Sequence, residues 1–327
     1  MIWAVAFGAV ALAFVWVTGV NDGGALLGLS GRFPRSPGLL LTLPALVPIV
    51  LVPQLVGTQV ARTFTERLAD LGDRRGALAF LTGVTVALAV VVLLSRKGLP
   101  TSLTLAVLGG IGGACFGLGL RVSWGALAGV LAFGAVAPLI GMTVGYGLGL
   151  ASRRVPSFAG MAGAVRTAHV LAYGAQCAAY AANDGQKMLA VVGVARQVVS
   201  TRRLGAVGPI QPAPLMMLLI AVVFCAGALS AVHRTGERLG RGLVLARPLH
   251  VVSTEAAAAA SVTASSLAGA PVSMTQSVTA GVVGVAASEG TSRVRWQNVI
   301  GIGAAWVFTL PLAFAAGSLG GVAMRAL

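Results

Sequence analysis

Apolar runs of membrane-crossing length follow one another from end to end of this 327-residue chain, separated by short clusters of arginine. A helix of about 20 apolar residues crosses the hydrocarbon core of a bilayer, where every backbone N–H and C=O must find its partner inside the protein. The runs lie at 1–20, 37–60, 76–95, 99–119 and 124–150, then at 166–194, 213–232, 248–268, 271–288 and 298–320. With 57% hydrophobic residues, 9% charged residues and a mean hydropathy of +0.91, a water-soluble domain is excluded. The fold class expected is an all-α polytopic membrane protein of about ten to twelve transmembrane segments, some broken or re-entrant because Gly and Pro are dense in them. Residues 1–20 have no basic leader and no small-residue cleavage site, so they count as the first span and not as a signal peptide.

The net charge of +15 resides largely in loop clusters: Arg32/Arg35, Arg74/Arg75, Arg153/Arg154, Arg202/Arg203 and Arg293/Arg295. Such clusters face headgroups or cytoplasm, so the lipid bilayer is the expected partner and nucleic acid is not. The Lys/Arg distribution slightly favours an external N terminus. Cys115, Cys177 and Cys225 stand far apart in apolar sequence, without metal-ligand spacing.

The chain repeats itself. Gly98-Leu-Pro100-Thr-Ser102-Leu-Thr104, continuing to Gly113, matches Gly269-Ala-Pro271-Val-Ser273-Met-Thr275, continuing to Gly284, at an offset of 171 residues (Gly98 to Gly269). Glu66-Arg67-Leu68 meets Glu237-Arg238-Leu239 at the same offset, and Asn21-Asp22 meets Asn183-Asp184 at 162 (Asn21 to Asn183). Residues 1–151 and 166–327 are therefore two transmembrane repeats joined by a connecting loop, 152–165. An odd number of crossings per repeat makes them inverted in topology, an arrangement that places a transport site near the midplane where the halves meet.

An ionised carboxylate inside a bilayer costs at least about 2.5–3.5 kcal/mol, so Asp22 and Asp184 are expected to face the protein interior and mark an ion or substrate path. Around Asp22 the run Thr18-Gly-Val-Asn-Asp-Gly-Gly24 predicts an interrupted helix with carbonyls free for a hard cation such as sodium. Around Asp184 the run Ala182-Asn-Asp-Gly-Gln-Lys187 adds Gln186 and Lys187, the latter a candidate charge partner that could equally contact an anion or snorkel to the surface from a helix end. The duplicated Pro-x-Ser-x-Thr motifs predict two helix N-termini, at Ser102/Thr104 and Ser273/Thr275, whose free N–H groups and dipoles attract an oxyanion. His169 and Arg166 read as interfacial, His233 and His250 flank a loop, and Glu255 could line a cavity but has no acidic counterpart at the matching Val84.

These motifs resemble the inorganic phosphate transporter family, the Pit or sodium/phosphate symporter type. Its Gly-x-Asn-Asp signature appears as Gly19-Val-Asn21-Asp22, and its second-half Asn-Asp-x-Gln-Lys as Asn183-Asp184-Gly185-Gln186-Lys187. The resemblance implies a cell-membrane secondary transporter that moves inorganic phosphate by alternating access, coupled to a sodium ion or proton and using no other cofactor. It implies that Asn21, Asp22, Asn183 and Asp184 serve the coupling cation, and that Ser102, Thr104, Gln186, Ser273 and Thr275 hydrogen-bond the anion. A homodimer stays open. The chain departs from the family at Ala25, where an Asn is usual, and at Leu105 and Gln276, where a His is usual. Sulfate or another oxyanion is the alternative cargo. The alternative from a different class is an intramembrane hydrolase built on Asp22 and Asp184, and a transport-inactive paralogue is the third.

Overall fold

The computed structural model describes residues 2–34, 38–96, 101–205, 207–243 and 247–326, with only the backbone of 38–39 and 232–243. Arg35, the Gly98-Leu-Pro100 part of the first Pro motif and the side chains of Glu237-Arg238-Leu239 thus lie outside the described residues. Helices account for all the regular structure among the described residues, apart from one isolated bridge between Ala69 and Val122.

Eleven helices form two sets. The first comprises α1 (Ile2–Ser30), α2 (Gly38–Val56), α3 (Gln59–Arg67), α4 (Arg74–Arg96), α5 (Leu103–Leu118) and α6 (Trp124–Arg153). The second comprises α7 (161–201), α8 (Pro214–Leu243), α9 (Pro248–Leu267), α10 (Met274–Ser288) and α11 (Trp296–Ala323). Because α6 runs to Arg153 and α7 starts at Met161, the connection between the sets is shorter than the sequence suggests.

By length and composition five helices can cross a membrane, and a sixth crossing arises if α2 and α3 are one span bent by 77°. The bend follows from the sequence. Pro44, Pro48 and Pro53 stiffen α2 while removing hydrogen-bond donors, and Gly57 at φ +83° then takes a left-handed turn that a side chain disfavours.

Two expected spans are too short to cross. α5 and α10 have 16 and 15 residues, about 24 and 22 Å of helix against a hydrocarbon core of roughly 30 Å. They begin inside the protein, after extended segments in which Thr101, Ser102, Val272 and Ser273 are buried. Pro271 precedes α10 and is not part of its first turn.

The predicted break at Asn21-Asp22 is also different in form. α1 continues through it, widened by one residue into a π turn, Gly19–Gly23, where the N–H of Gly24 reaches back to the carbonyl of Gly19. α7 carries the same device, Ala181–Gly185, at the matching Asn-Asp. A π turn inserts a residue without ending the helix, so glycine here relieves crowding and does not reverse the chain. Both carboxylates are thereby held on rigid helices.

Packing exchanges elements between the sets. α1 packs on α8 and α2 on α7, while α5 packs on α11 and α10 on α6. The last two contacts depend on glycine: a Cβ on Gly113 would lie 2.1 Å from the Phe314 carbonyl oxygen, and one on Gly284 would lie 2.1 Å from that of Met142. Small residues at these positions let backbones approach within a bundle that gains no hydrophobic drive from water. The 171-residue repeat thus reappears as the same close contact made twice.

Candidate functional site

Four segments meet at the centre of the molecule: the π turns of α1 and α7, and the starts of α5 and α10. Asp22 and Asp184 are 2% and 1% exposed, and Lys187 is 4% exposed. Membrane burial of these groups is tolerable only with partners, and the partners are present.

Lys187 does not snorkel to the surface. Its Nζ donates to Asp184 Oδ1 at 2.7 Å, to Thr104 Oγ1 at 2.6 Å and to the carbonyl oxygen of Val272. Thr104 belongs to the first turn of α5, and Val272 to the extended segment before α10. One ammonium therefore joins both sets of helices. Thr104 Oγ1 also donates to the Val272 carbonyl at 3.2 Å.

The other carboxylate is held differently. Asn21 Nδ2 donates to Asp22 Oδ1 at 3.0 Å, and the Thr275 side chain lies beside the same carboxylate. The pairing is crossed: Asp22 meets the Thr of the second motif, and Asp184 meets the Thr of the first through Lys187.

Asn183 and Gln186 are committed within the protein, chiefly to backbone. Asn183 Nδ2 donates to Ser266 Oγ at 3.0 Å and to the Ala270 carbonyl at 3.1 Å, and its Oδ1 accepts from the N–H of Val272 at 3.0 Å. It fixes the extended strand of chain that carries the Val272 carbonyl to Lys187. Gln186 Oε1 accepts from the N–H groups of Val60 and Ala61, at 2.8 and 3.3 Å, and so caps α3.

Ser102 is the N-cap of α5, accepting from the N–H of Leu105 at 3.3 Å. Ser273 occupies the N-cap position of α10 without a capping bond, and its hydroxyl instead pairs with Thr275 at 2.7 Å. Both helix dipoles present their positive ends to the same interior. A cavity of about 10 Å³ touches Thr104, Asp184 and Lys187 among apolar walls including Phe14, Phe64 and Phe80. That is room for about one water, so a larger guest requires the helices to part.

Residues 45–317 match the model of a family described as the phosphate transporter family. The chain belongs to the phosphate transporter family. Among its relatives, a Mycobacterium tuberculosis protein named "Probable low-affinity inorganic phosphate transporter" is 29% identical over 317 residues, covering 93% of this chain and 73% of the relative. A Mycobacterium leprae protein of the same name is 29% identical over 330 residues, covering 95% and 75%. A solved structure described as "The sodium-dependent phosphate transporter" superposes with a TM-score of 0.81 over 100% of both chains at 16% identity, which shows the fold.

In this phosphate transporter family chain two buried polar groups escaped sequence reasoning. Tyr180, one turn before Asp184, is fully buried within electrostatic range of both aspartates, and its hydroxyl has no hydrogen-bond partner among the described residues. The i, i+4 spacing to Asp184 was the available signal. His169 and Glu255 are the other: they are 4% and 0% exposed and bonded to each other at 2.9 Å. Their positions are 86 residues apart, and no local pattern links them.

Proposed function

We propose that this chain moves inorganic phosphate across the cell membrane by alternating access, coupled to a sodium or proton gradient, and that it is not an enzyme. The reading is carried by one observation: the N-terminal turns of two half-length helices, bearing Ser102/Thr104 and Ser273/Thr275, converge on Asp22, Asp184 and Lys187. Helix N-termini and hydroxyls complement an oxyanion, while carboxylates beside them require cations. Phosphate that keeps a proton can donate to a neighbouring carboxylate, which fully ionised sulfate cannot.

The repeats 1–151 and 166–327 are read as inverted, and their exchanged packing supports that reading. Opening one side and closing the other then means rocking these packed units around a fixed centre. Asn21 and Asp22 serve the coupling cation, Asp184 holds Lys187, and Asn183 and Gln186 shape the site through the backbone. The hydrolase alternative gains no support, because Lys187 occupies Asp184 Oδ1 and no hydrogen bond joins the two carboxylates among the described residues.

The test is uptake of labelled phosphate and labelled sulfate into proteoliposomes under imposed sodium or proton gradients. Phosphate uptake driven by one gradient, and abolished by Asp22→Asn and by Asp184→Asn, is the expected result. Folded protein that takes up neither anion in any gradient overturns the proposal.

A further inference from the structure

The two halves treat their aspartates unequally. At the 162-residue offset that superposes Asp22 on Asp184, Lys187 superposes on Ala25, a buried methyl with no polar atom in its side chain. Asp184 thus has a cation supplied by its own helix, three residues on. Asp22 accepts from the neutral Asn21 amide and has no ion pair among the described residues.

The surroundings of Lys187 Nζ are those of a hard-cation site. Three oxygens of three kinds close on it: a carboxylate, a hydroxyl and a backbone carbonyl from non-helical chain. Carboxylate, hydroxyl and freed carbonyl are the oxygen ligands that half-helix transport sites offer to alkali ions. An ammonium has three donors, and here all three are used, leaving none for a guest unless a bond breaks. The Val272 carbonyl is aimed at it by Asn183, which holds the same residue's N–H. The cage is built around the ammonium.

We infer that Lys187 is a tethered cation filling the cation site of the second half, so that only the Asp22 site binds an exchangeable coupling cation. The inference rests on the transporter reading and deepens it by limiting the coupling stoichiometry. Lys187 is already taken by Asp184, so an ionised Asp22 has no hydrogen-bonded cation of its own, and burying that charge unpaired is costly. One cation at Asp22 removes it. A second cation at Asp184 has no free place.

The experiment measures labelled phosphate uptake against sodium concentration, at fixed pH, for wild type, Lys187→Ser and Lys187→Met in proteoliposomes, together with labelled sodium binding to the purified proteins in detergent. Wild type is expected to depend on sodium to first order or less. Lys187→Ser, which empties the cage and supplies a hydroxyl, is expected to gain one order in sodium and one further bound sodium per chain. Lys187→Met, which fills the space with a poor ligand, is expected to gain neither. Second-order dependence in wild type, or an unchanged order and unchanged binding in Lys187→Ser, overturns the inference. If Lys187→Ser does not fold, the wild-type order and its bound-sodium count decide alone. If wild type transports no phosphate, the transporter reading falls, and the sodium-binding counts still report whether Lys187 fills a cation site.

Discussion

His169 Nδ1 lies 2.9 Å from Glu255 Oε2, and neither side chain reaches solvent. Ser30 Oγ closes on the other carboxylate oxygen at 2.5 Å, and Phe33 stacks on the His169 ring with centroids 4.1 Å apart. Ser30 ends α1 and His169 lies in the first half of α7, so the cluster ties the two aspartate-bearing helices to α9. It lies about 12 Å along α1 from Asp22, at 1.5 Å per residue, and is therefore a clamp at one end of the bundle and not part of the central site.

Breaking this clamp should destabilise the protein strongly. Removing one partner of a buried hydrogen-bonded pair leaves the other's polar group unsatisfied, at a cost of about 1–3 kcal/mol. Glu255→Ala is expected to lower the thermal unfolding temperature in detergent far more than Glu255→Gln, which still accepts from Ser30. A double-mutant cycle with His169→Ala should return a coupling energy of about 0.5–3 kcal/mol. Independent, additive losses would show that the two side chains do not act together.

The close helix crossings make a second prediction. Gly113→Ala and Gly284→Ala each place a methyl 2.1 Å from a carbonyl oxygen of a partner helix, so the backbones must separate. Overpacking of this kind costs about 1–3 kcal/mol. Both variants should unfold at lower temperature by similar amounts, because the contacts repeat each other. Gly134→Ala, with nothing within 4 Å of the added methyl, serves as the control and should be neutral or slightly stabilising.

The caps of the two half-helices differ, and so should their variants. Ser102→Ala removes a capping bond to Leu105 and should cost about 0.5–2 kcal/mol. Ser273 makes no such bond, so Ser273→Ala should cost less in stability. Unfolding curves of both variants check the ordering, which equal losses would contradict.

How much of this was legible in the sequence depends on what kind of signal each feature leaves. Five apolar runs per half marked ten of the eleven helices, because hydropathy is a local property, while α3 lay beyond the second run and the runs at α5 and α10 are too short to cross. The starts of α5 and α10 were legible too, since Ser before an apolar run is an N-terminal signal. The π turns were not, because Gly-x-Asn-Asp-Gly is compatible with a break or a widened turn, and packing against α8 and α2 chooses between them. Lys187 read equally well as a residue reaching for the surface. Only the meeting of Thr104 and Val272, 168 residues apart, decides that it points inward. Glu255 and His169 left no trace for the same reason.

Asp184 and Lys187 supply the sharpest stability prediction. Asp184→Asn alone leaves a buried ammonium with two neutral acceptors, and Lys187→Met alone leaves a buried carboxylate whose Oδ2 already lacks a partner. Each single change should destabilise by about 3–5 kcal/mol if both groups are charged in the folded protein. The double variant Asp184→Asn/Lys187→Met removes both charges and should recover much of that loss, because the cost of a buried charge disappears with the charge. Thermal unfolding of the four proteins in sodium-free detergent measures the cycle. A double variant no more stable than the worse single variant would mean that the pair is not bound together by charge. Asp22→Asn, by contrast, leaves no buried ammonium behind it and should be tolerated in folding. Its effect should fall on uptake.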